Sequence, residues 1–224
     1  MVRAGTVPYG TAWDWQRDLV ERRATDAIGD ALLLLEHPRV FTAGRRADTA
    51  NLVFDEAERA RRGIELFAVD RGGDFTYHGP GQLVGYPILK LAGPRVVDYV
   101  RALEEVCIRA LASYGVEAGR VDGYTGVWVG DEKVAAIGVR VSAGCVTQHG
   151  FALNVTTDLD DFGGIVPCGI VDRGVASLAS LGVDTTVDDA ADRVEAAFAE
   201  VFAATLGRAT PRDLGLAPSD AATA

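Results

Sequence analysis

The sequence predicts an α+β fold, in which a mixed, largely antiparallel sheet is flanked by helices. Four short apolar runs follow one another between residues 116 and 155, separated by turn residues, which is typical of consecutive strands. Apolar residues at helical spacing recur in three segments, 9–27, 96–114 and 186–206. Because these helices stand at intervals and do not alternate regularly with strands, the pattern argues against a doubly wound parallel sheet.

The individual strands and the domain limits follow from turn residues. A charged helix over residues 55–62 ends at Gly63, a residue type that closes helices in the left-handed conformation. We expect one domain over residues 1–210, with a small C-terminal subdomain from about residue 180 as an open alternative, and a flexible tail over residues 211–224. The predicted strands cover residues 31–38, 40–44, 64–71, 82–91, 116–121, 126–129, 133–141 and 148–155.

Composition narrows the possible partners and the compartment. The chain has 224 residues and a formal net charge of −10 at pH 7, which argues against nucleic acid, because phosphate binding needs a basic surface. No apolar run approaches the roughly 20 residues that cross a bilayer, and the N-terminal segment lacks a signal-peptide core. The three cysteines contain no CxxC pair and do not make a disulfide framework. We therefore expect a cytoplasmic protein without a membrane partner.

A glycine-rich segment, RGGDFTYHGPGQ at residues 71–82, is the most unusual stretch of the chain. Its glycines allow close backbone approach, and donors and acceptors are crowded between them. We predict a polar loop between two strands that forms the wall of a binding site, with a purely structural turn as the alternative. The glycine spacing does not fit a dinucleotide fingerprint, and no Walker A lysine is present.

Two residues are candidates for catalysis. Cys168 lies between proline and glycine in GGIVPCGI, where a tight turn would present its sulfur. Lys133 begins the apolar run KVAAIGVRV and is one of only two lysines, with Lys90, among 22 basic residues. A lysine beside a cysteine can stabilise the thiolate and move a proton. The alternatives are a small buried cysteine and an edge-strand lysine.

The histidines and remaining cysteines leave other readings open. A zinc site from His78, His149 and Cys168 matches no common ligand spacing. A protease-like dyad of Cys168 and His149 is a more serious rival. Cys107 lies on the apolar stripe of a helix and is predicted to belong to the core, and Cys145 lies in a polar turn and is predicted to be structural.

Five blocks of sequence together resemble the lipoyl(octanoyl) transferases, which belong to the wider biotin/lipoate protein ligase fold family. They occur in order and span most of residues 9–180. The blocks are LLEHPRVFTAGR (34–45), RGGDFTYHGPGQLVGYPIL (71–89), GDEKVAAIGVRV (130–141), QHGFALNV (148–155) and FGGIVPCGI (162–170).

The resemblance implies transfer of an octanoyl group from octanoyl-acyl carrier protein to a lysine of a lipoate-dependent protein. Such acceptors are the lipoyl domains of 2-oxoacid dehydrogenase E2 subunits and the glycine cleavage H protein. It implies a catalytic pair, Cys168 and Lys133, in a monomer, with no cofactor and no metal. His149 is a supporting residue and His78 a positioning residue. The implied substrate-binding residues are Arg71, Gly72, Gly73, Asp74, Phe75, Thr76, Tyr77, His78, Ala136, Ile137, Gly138, Gly150, Phe151 and Ala152.

Three alternative functions remain open from the sequence: an ATP-dependent lipoate or biotin ligase, a Cys/His thiol hydrolase, and a non-enzymatic binding module. An acidic carrier protein also poses an electrostatic problem for an acidic chain, so docking would need a local basic face. Two clusters could supply it, one of Arg39, Arg45 and Arg46 and the other of Arg59, Arg61 and Arg62.

Overall fold

The computed structural model describes residues 1–93, 95–166 and 173–216, and within these ranges two β-sheets are surrounded by four α-helices. The strands are β1 (Val2–Thr6), β2 (Ala31–Glu36), β3 (Val40–Ala43), β4 (Glu65–Ala68), β5 (Phe75–His78), β6 (Gln82–Ile88), β7 (Gly119–Val121), β8 (Tyr124–Val129), β9 (Glu132–Val141), β10 (Thr147–Asn154) and β11 (Gly174–Val175). The helices are α1 (Tyr9–Ala24), α2 (Glu56–Arg62), α3 (Val96–Ala112) and α4 (Val187–Val201).

The large sheet confirms the predicted mixed, largely antiparallel arrangement. Its strand order is β1-β2-β6-β10-β9-β8-β7, with β11 paired to β9. The β1–β2 and β11–β9 pairs are parallel, and the other pairs are antiparallel. Ala136 of β9 lies opposite Ala152 of β10, and Gly85 of β6 lies opposite Phe151. This register brings the central strands β6, β9 and β10 side by side beneath the site described below.

A second, three-stranded sheet contains a strand that the sequence did not predict. Its order is β4-β3-β5, with β3 parallel to β4 and antiparallel to β5. Strand β5 lies inside residues 71–82, so the prediction of a continuous loop there was wrong. Four strand residues framed by glycines are too few to show a clear period in the sequence. Two short strands of the large sheet, β1 and β11, were also not predicted.

The two faces of the large sheet are covered by different helices. Helices α3 and α4 pack on one face, where Leu103, Val106, Val194 and Phe198 share a core. Helix α4 begins after Thr186, whose side chain caps it by accepting from the Asp189 backbone N–H, and it ends at Val201, earlier than the predicted residue 206.

Helix α1 covers the other face of the large sheet. Its Trp15 and Leu19 pack on Leu33, Val84 and Tyr86 of β2 and β6. The described helices include none that is both long and apolar enough to cross a membrane.

Candidate active site

A cavity lies between the two sheets, closed at one side by the start of α1. The empty space inside it is about 490 Å³, including the part open to solvent. Of the residues predicted to bind substrate, all but three line this cavity together with His149, and two unpredicted tyrosines join them. The lining residues are Tyr9, Arg71, Gly72, Gly73, Thr76, His78, Tyr86, Ala136, Ile137, Gly138, His149, Gly150, Phe151 and Ala152.

The Arg71 loop, which we define as residues 71–73, is held against both sheets. The Arg71 guanidinium is buried and donates to the Thr42 carbonyl oxygen at 2.7 Å and to Thr42 Oγ1 at 2.8 Å. On the other side the Gly72 N–H donates to the Val139 carbonyl of β9 at 3.0 Å. A cationic side chain is therefore fixed in the cavity wall between β3 and β9.

Two glycines outside the Arg71 loop allow this close approach. A Cβ added at Gly44 would lie 2.4 Å from the Gly73 carbonyl oxygen, and one added at Gly138 would lie 3.0 Å from Arg71 Cδ. The first distance is shorter than real Cβ atoms allow, and its partner is backbone that cannot rotate away. Gly44 and Gly138 thus let the Arg71 loop sit directly on the neighbouring strands.

Strand alternation explains which residues of β5 reach the cavity. Thr76 and His78 line it, and Phe75 and Tyr77 point to the opposite side, into a cluster around Phe41. There the Tyr77 hydroxyl donates to Asp161 Oδ2 at 3.0 Å, and burial raises the pKa of that tyrosine. Phe75 and Tyr77, although predicted to bind substrate, do not line the cavity.

Asp74 is the third predicted substrate-binding residue that does not line the cavity, and its hydrogen bonds give it a structural role. Its carboxylate accepts from Asn51 Nδ2 at 2.5 Å and from the Asp48 N–H at 3.2 Å. It therefore holds the segment around residue 50 against the start of β5, beside the Arg71 loop.

The same alternation divides β9 and β10. Ala136, Gly138 and Ala152 present small side chains or none to the cavity. Phe151 borders the cavity, but its ring packs over Gly85 in the core beneath α3 and α4. The part of the wall formed by Ala136, Gly138 and Ala152 is therefore smooth and apolar.

His78 is buried and neutral. Its Nδ1–H donates to Gln82 Oε1 at 2.7 Å, because the Gln82 amide nitrogen is engaged in turn with Asn154 Oδ1 at 2.9 Å. Burial lowers the pKa of His78 well below its usual value of 6.5, and His37 nearby lowers it further. The ring consequently keeps an unprotonated Nε2 that can accept a hydrogen bond.

His149 is also fixed by a partner, in a strained backbone. Its φ is 59°, a left-handed conformation that is uncommon outside glycine. Its Nε2–H donates to Asp70 Oδ1 at 2.8 Å, and Arg140 pairs with the other oxygen of the same carboxylate. Burial lowers the pKa of His149, and the His149 hydrogen bond lowers the pKa of Asp70.

Three functional candidates were missed in the sequence: Tyr9, Tyr86 and His37. Tyr9 and Tyr86 line the cavity, and His37 lies directly behind them. The His37 Nδ1–H donates to the Val7 carbonyl at 2.6 Å, and burial lowers the pKa of this histidine to about 4. His37 and Tyr86 both lie in blocks that carry the family resemblance, which is the one signal that could have singled them out.

Lys133 is buried on β9 and does not line the cavity. It precedes Ala136 by three residues, or about 10 Å along a strand. A β-bulge interrupts the pairing here: Val127 faces Ala135 and the next residue, Trp128, faces Lys133. The Lys133 Nζ lies 4.8 Å from the Trp128 ring centroid, within cation–π range. The bulge thus re-aims the lysine relative to the small residues further along β9.

Cys168 lies outside the described residues, as does the rest of the segment 167–172. Cys107 is buried in the core as predicted, and burial raises its pKa to about 12, while Cys145 lies in the turn before β10. Within residues 1–93, 95–166 and 173–216, no group of three or more His, Cys, Asp or Glu side chains is placed to hold a metal ion.

Comparison with known proteins gives a consistent result. The chain matches the family described as the lipoyl protein ligase A/B catalytic domain over residues 8–199. A curated octanoyltransferase from Chloroflexus aggregans is 52% identical over 203 residues, which cover 88% of this chain and 92% of the relative.

Solved structures share the fold at lower identity. Ta0514 from T. acidophilum, described as a lipoate protein ligase with bound lipoic acid, superimposes with a TM-score of 0.69 at 18% identity, over 94% of this chain and 90% of that chain. A bipartite lipoate protein ligase from Thermoplasma acidophilum, described together with its E2 lipoyl domain, has a TM-score of 0.70 at 19% identity, over 94% and 87% of the two chains. At these identities the structural matches establish the fold alone.

Proposed function

The chain belongs to the lipoyl protein ligase A/B catalytic-domain family, and from this premise we propose that it transfers an octanoyl group from octanoyl-acyl carrier protein to a specific lysine of a lipoyl domain. The observation that carries the proposal is the cavity between the two sheets, because most of the residues predicted to bind substrate line it. The sequence agrees with this function, since the chain is 52% identical to an octanoyltransferase. We assign residues 1–210 to one catalytic domain that acts as a monomer in the cytoplasm.

The cavity suits a short acyl chain on physical grounds. Ala136, Gly138 and Ala152 leave a smooth apolar wall on β9 and β10. Burial of each methylene contributes about 0.8 kcal/mol, so a chain of eight carbons gains affinity up to the length that fits. The buried Arg71 guanidinium lies in the cavity wall next to Gly138 and would favour the carbonyl end of the acyl group, where negative charge develops during acyl transfer.

The proposed chemistry uses two half-reactions at Cys168 and Lys133. The Cys168 thiolate attacks the donor thioester carbon, the bond to the pantetheine sulfur breaks, and the leaving sulfur takes a proton from the Lys133 ammonium. The neutral amine of the acceptor lysine then attacks the Cys168 thioester and gives a proton to Lys133. An amide forms and the cysteine thiolate is regenerated.

This sequence of steps needs no activating cofactor. The donor is already a thioester, so the reaction exchanges a thioester for an amide without adenylation, and neither ATP nor a metal takes part. Lys133 is buried beside an aromatic ring. This burial favours a functional lysine over the alternative of a solvated lysine on an edge strand.

The decisive experiment is the intact mass of the protein after incubation with octanoyl-acyl carrier protein. We expect one hydroxylamine-sensitive octanoyl adduct on the wild type and on the Cys145→Ala control, and none on Cys168→Ala. An adduct that persists in Cys168→Ala contradicts the cysteine mechanism. Transfer to a lipoyl domain that requires ATP and free octanoate would instead identify an ATP-dependent ligase.

A further inference from the structure

The arginines of this acidic chain are mostly neutralised by nearby carboxylates. The chain has 22 basic and 32 acidic residues. In the cluster around α2, Arg61 and Arg62 both pair with Glu58. Arg39 lies 3.4 Å from Asp161 through its Nε. Arg39, Arg61 and Arg62 are therefore engaged by the protein's own acids. The guanidinium of Arg59, the remaining member of the α2 cluster, donates to the Phe54 carbonyl at 2.8 Å.

Arg45 and Arg46 differ from these arginines. Both are exposed, and neither side chain forms an ion pair with a carboxylate in the part of the chain that the structure describes. Two consecutive arginines that are exposed and not paired with carboxylates form a local positive patch on a protein of net charge −10. We call these two residues the Arg45–Arg46 pair.

The backbone ties the Arg45–Arg46 pair to the cavity. The Arg45 N–H donates to the Arg71 carbonyl at 3.0 Å, and the Arg46 N–H donates to the Gly73 carbonyl at 3.1 Å. Arg71 and Gly73 are cavity-lining residues. The pair is therefore carried on the outer side of the Arg71 loop, in a fixed place relative to the cavity.

We propose that the Arg45–Arg46 pair docks the acidic surface of the carrier protein that delivers the octanoyl group. This inference rests on the proposed function, because it assigns the donor partner of the same site. Exposed charges act mainly on the association rate and lose effect as salt rises, since the Debye length falls to about 8 Å at 0.15 M. The pair would counteract the repulsion between two acidic proteins at a place that is tied to the cavity wall through the Arg71 loop.

The test compares charge reversal at the pair with charge reversal elsewhere, using donors with and without a carrier protein. Arg46→Glu and Arg45→Glu are each measured against Arg212→Glu. Arg212 is exposed and belongs to the segment that Arg22 contacts, near the end of α1 opposite Tyr9, about 20 Å away along the helix. The donors are octanoyl-acyl carrier protein, octanoyl-phosphopantetheine and octanoyl-pantetheine.

We expect kcat/KM for octanoyl-acyl carrier protein to fall roughly tenfold or more in each Arg45 and Arg46 variant at low salt, and the difference from wild type to shrink as salt rises. Arg212→Glu should stay within about twofold of wild type, and rates with the two carrier-free donors should not change.

Several results would overturn the docking role. Equal loss with octanoyl-pantetheine would mean that the pair shapes the cavity, and loss shared only by the phosphopantetheine donor would assign the pair to the phosphate. An equal effect of Arg212→Glu would mean that only the net charge of the protein matters. A raised KM for the lipoyl domain alone would mean that the Arg45–Arg46 pair binds the acceptor and not the donor. A wild type that transfers from none of the donors refutes the proposed function, and the docking role with it.

Discussion

The Tyr86 hydroxyl donates to Nε2 of His37 across 2.7 Å, at the wall of the cavity. The direction is fixed because the Nδ1–H of His37 is already given to the Val7 carbonyl, so a neutral imidazole can only accept at Nε2. Tyr86 therefore presents oxygen lone pairs, and no proton, to the cavity. His78 likewise presents an unprotonated nitrogen, because its other nitrogen donates to Gln82.

Removing the Tyr86 hydroxyl should leave a buried acceptor unsatisfied. We expect Tyr86→Phe to lower the free energy of unfolding by about 1–3 kcal/mol, measured by urea denaturation. Tyr124→Phe is the matched control, because the Tyr124 hydroxyl makes no hydrogen bond within the described residues and its ring contact with Arg173 is retained. Equal stability of the two variants would show that the His37–Tyr86 bond contributes nothing net.

Stability should fall in mild acid because His37, His78 and His149 are held neutral. Burial lowers the pKa of His37 from 6.5 to about 4, and it lowers the pKa of the other two. The unfolded chain therefore binds more protons than the folded one between pH 6.5 and about 4, so the free energy of unfolding decreases as pH falls through that window. Each fully shifted histidine contributes a slope of about 1.4 kcal/mol per pH unit.

The measurement is urea denaturation at several pH values, with His37→Gln as the comparison. This variant removes one titrating group, so its stability should depend less steeply on pH between 6.5 and about 4 than that of the wild type. Parallel pH profiles for the two proteins would mean that His37 is not held neutral by the fold.

The proton-transfer role of Lys133 predicts a sharp difference between two conservative changes. Lys133→Arg keeps a positive charge but cannot release a proton near neutral pH, so we expect kcat to fall by roughly 10²–10⁴. Lys90→Arg is the natural control, since Lys90 is the only other lysine and it pairs with Asp26 at the surface. Full turnover by Lys133→Arg would exclude an acid–base role.

The close approach at Gly44 predicts that one methyl group displaces the Arg71 loop. A Cβ there would lie 2.4 Å from the Gly73 carbonyl, so Gly44→Ala should cost about 1–3 kcal/mol of stability and raise the KM for the acyl donor. Gly29→Ala should do neither, because no atom lies within 4 Å of a Cβ at that position. An unchanged KM in Gly44→Ala would separate the loop position from substrate binding.

Sequence patterns were most informative where one period ran through several residues. The stripe of α3 placed the core face of that helix correctly, because it depends on local spacing. The small residues of β9 and β10 that line the cavity were named by the family resemblance instead. Strand β5 was missed because it is four residues long and enclosed by glycines. Its alternation decides that Thr76 and His78 face the cavity and that Tyr77 does not.

The rest of the site depends on pairing between distant segments. Tyr9, His37 and Tyr86 meet because β2 lies beside β6 and α1 packs over β6, and no local pattern encodes that meeting. The orientation of Lys133 follows from a bulge that exists only in its pairing with β8. Similarly, the ion pairs that neutralise Arg39 and Arg62 join residues about a hundred positions apart or more.

The Arg71 loop has a thermodynamic consequence because it bonds to β3 on one side and to β9 on the other. The three-stranded sheet is small, and its edge strand β4 is largely exposed, so it is the part expected to open most readily. A ligand that contacts both walls binds only when the two sheets are assembled, and its binding free energy adds to that of the assembled state. Ligand binding in the cavity therefore stabilises the smaller sheet, and opening of the smaller sheet weakens ligand binding.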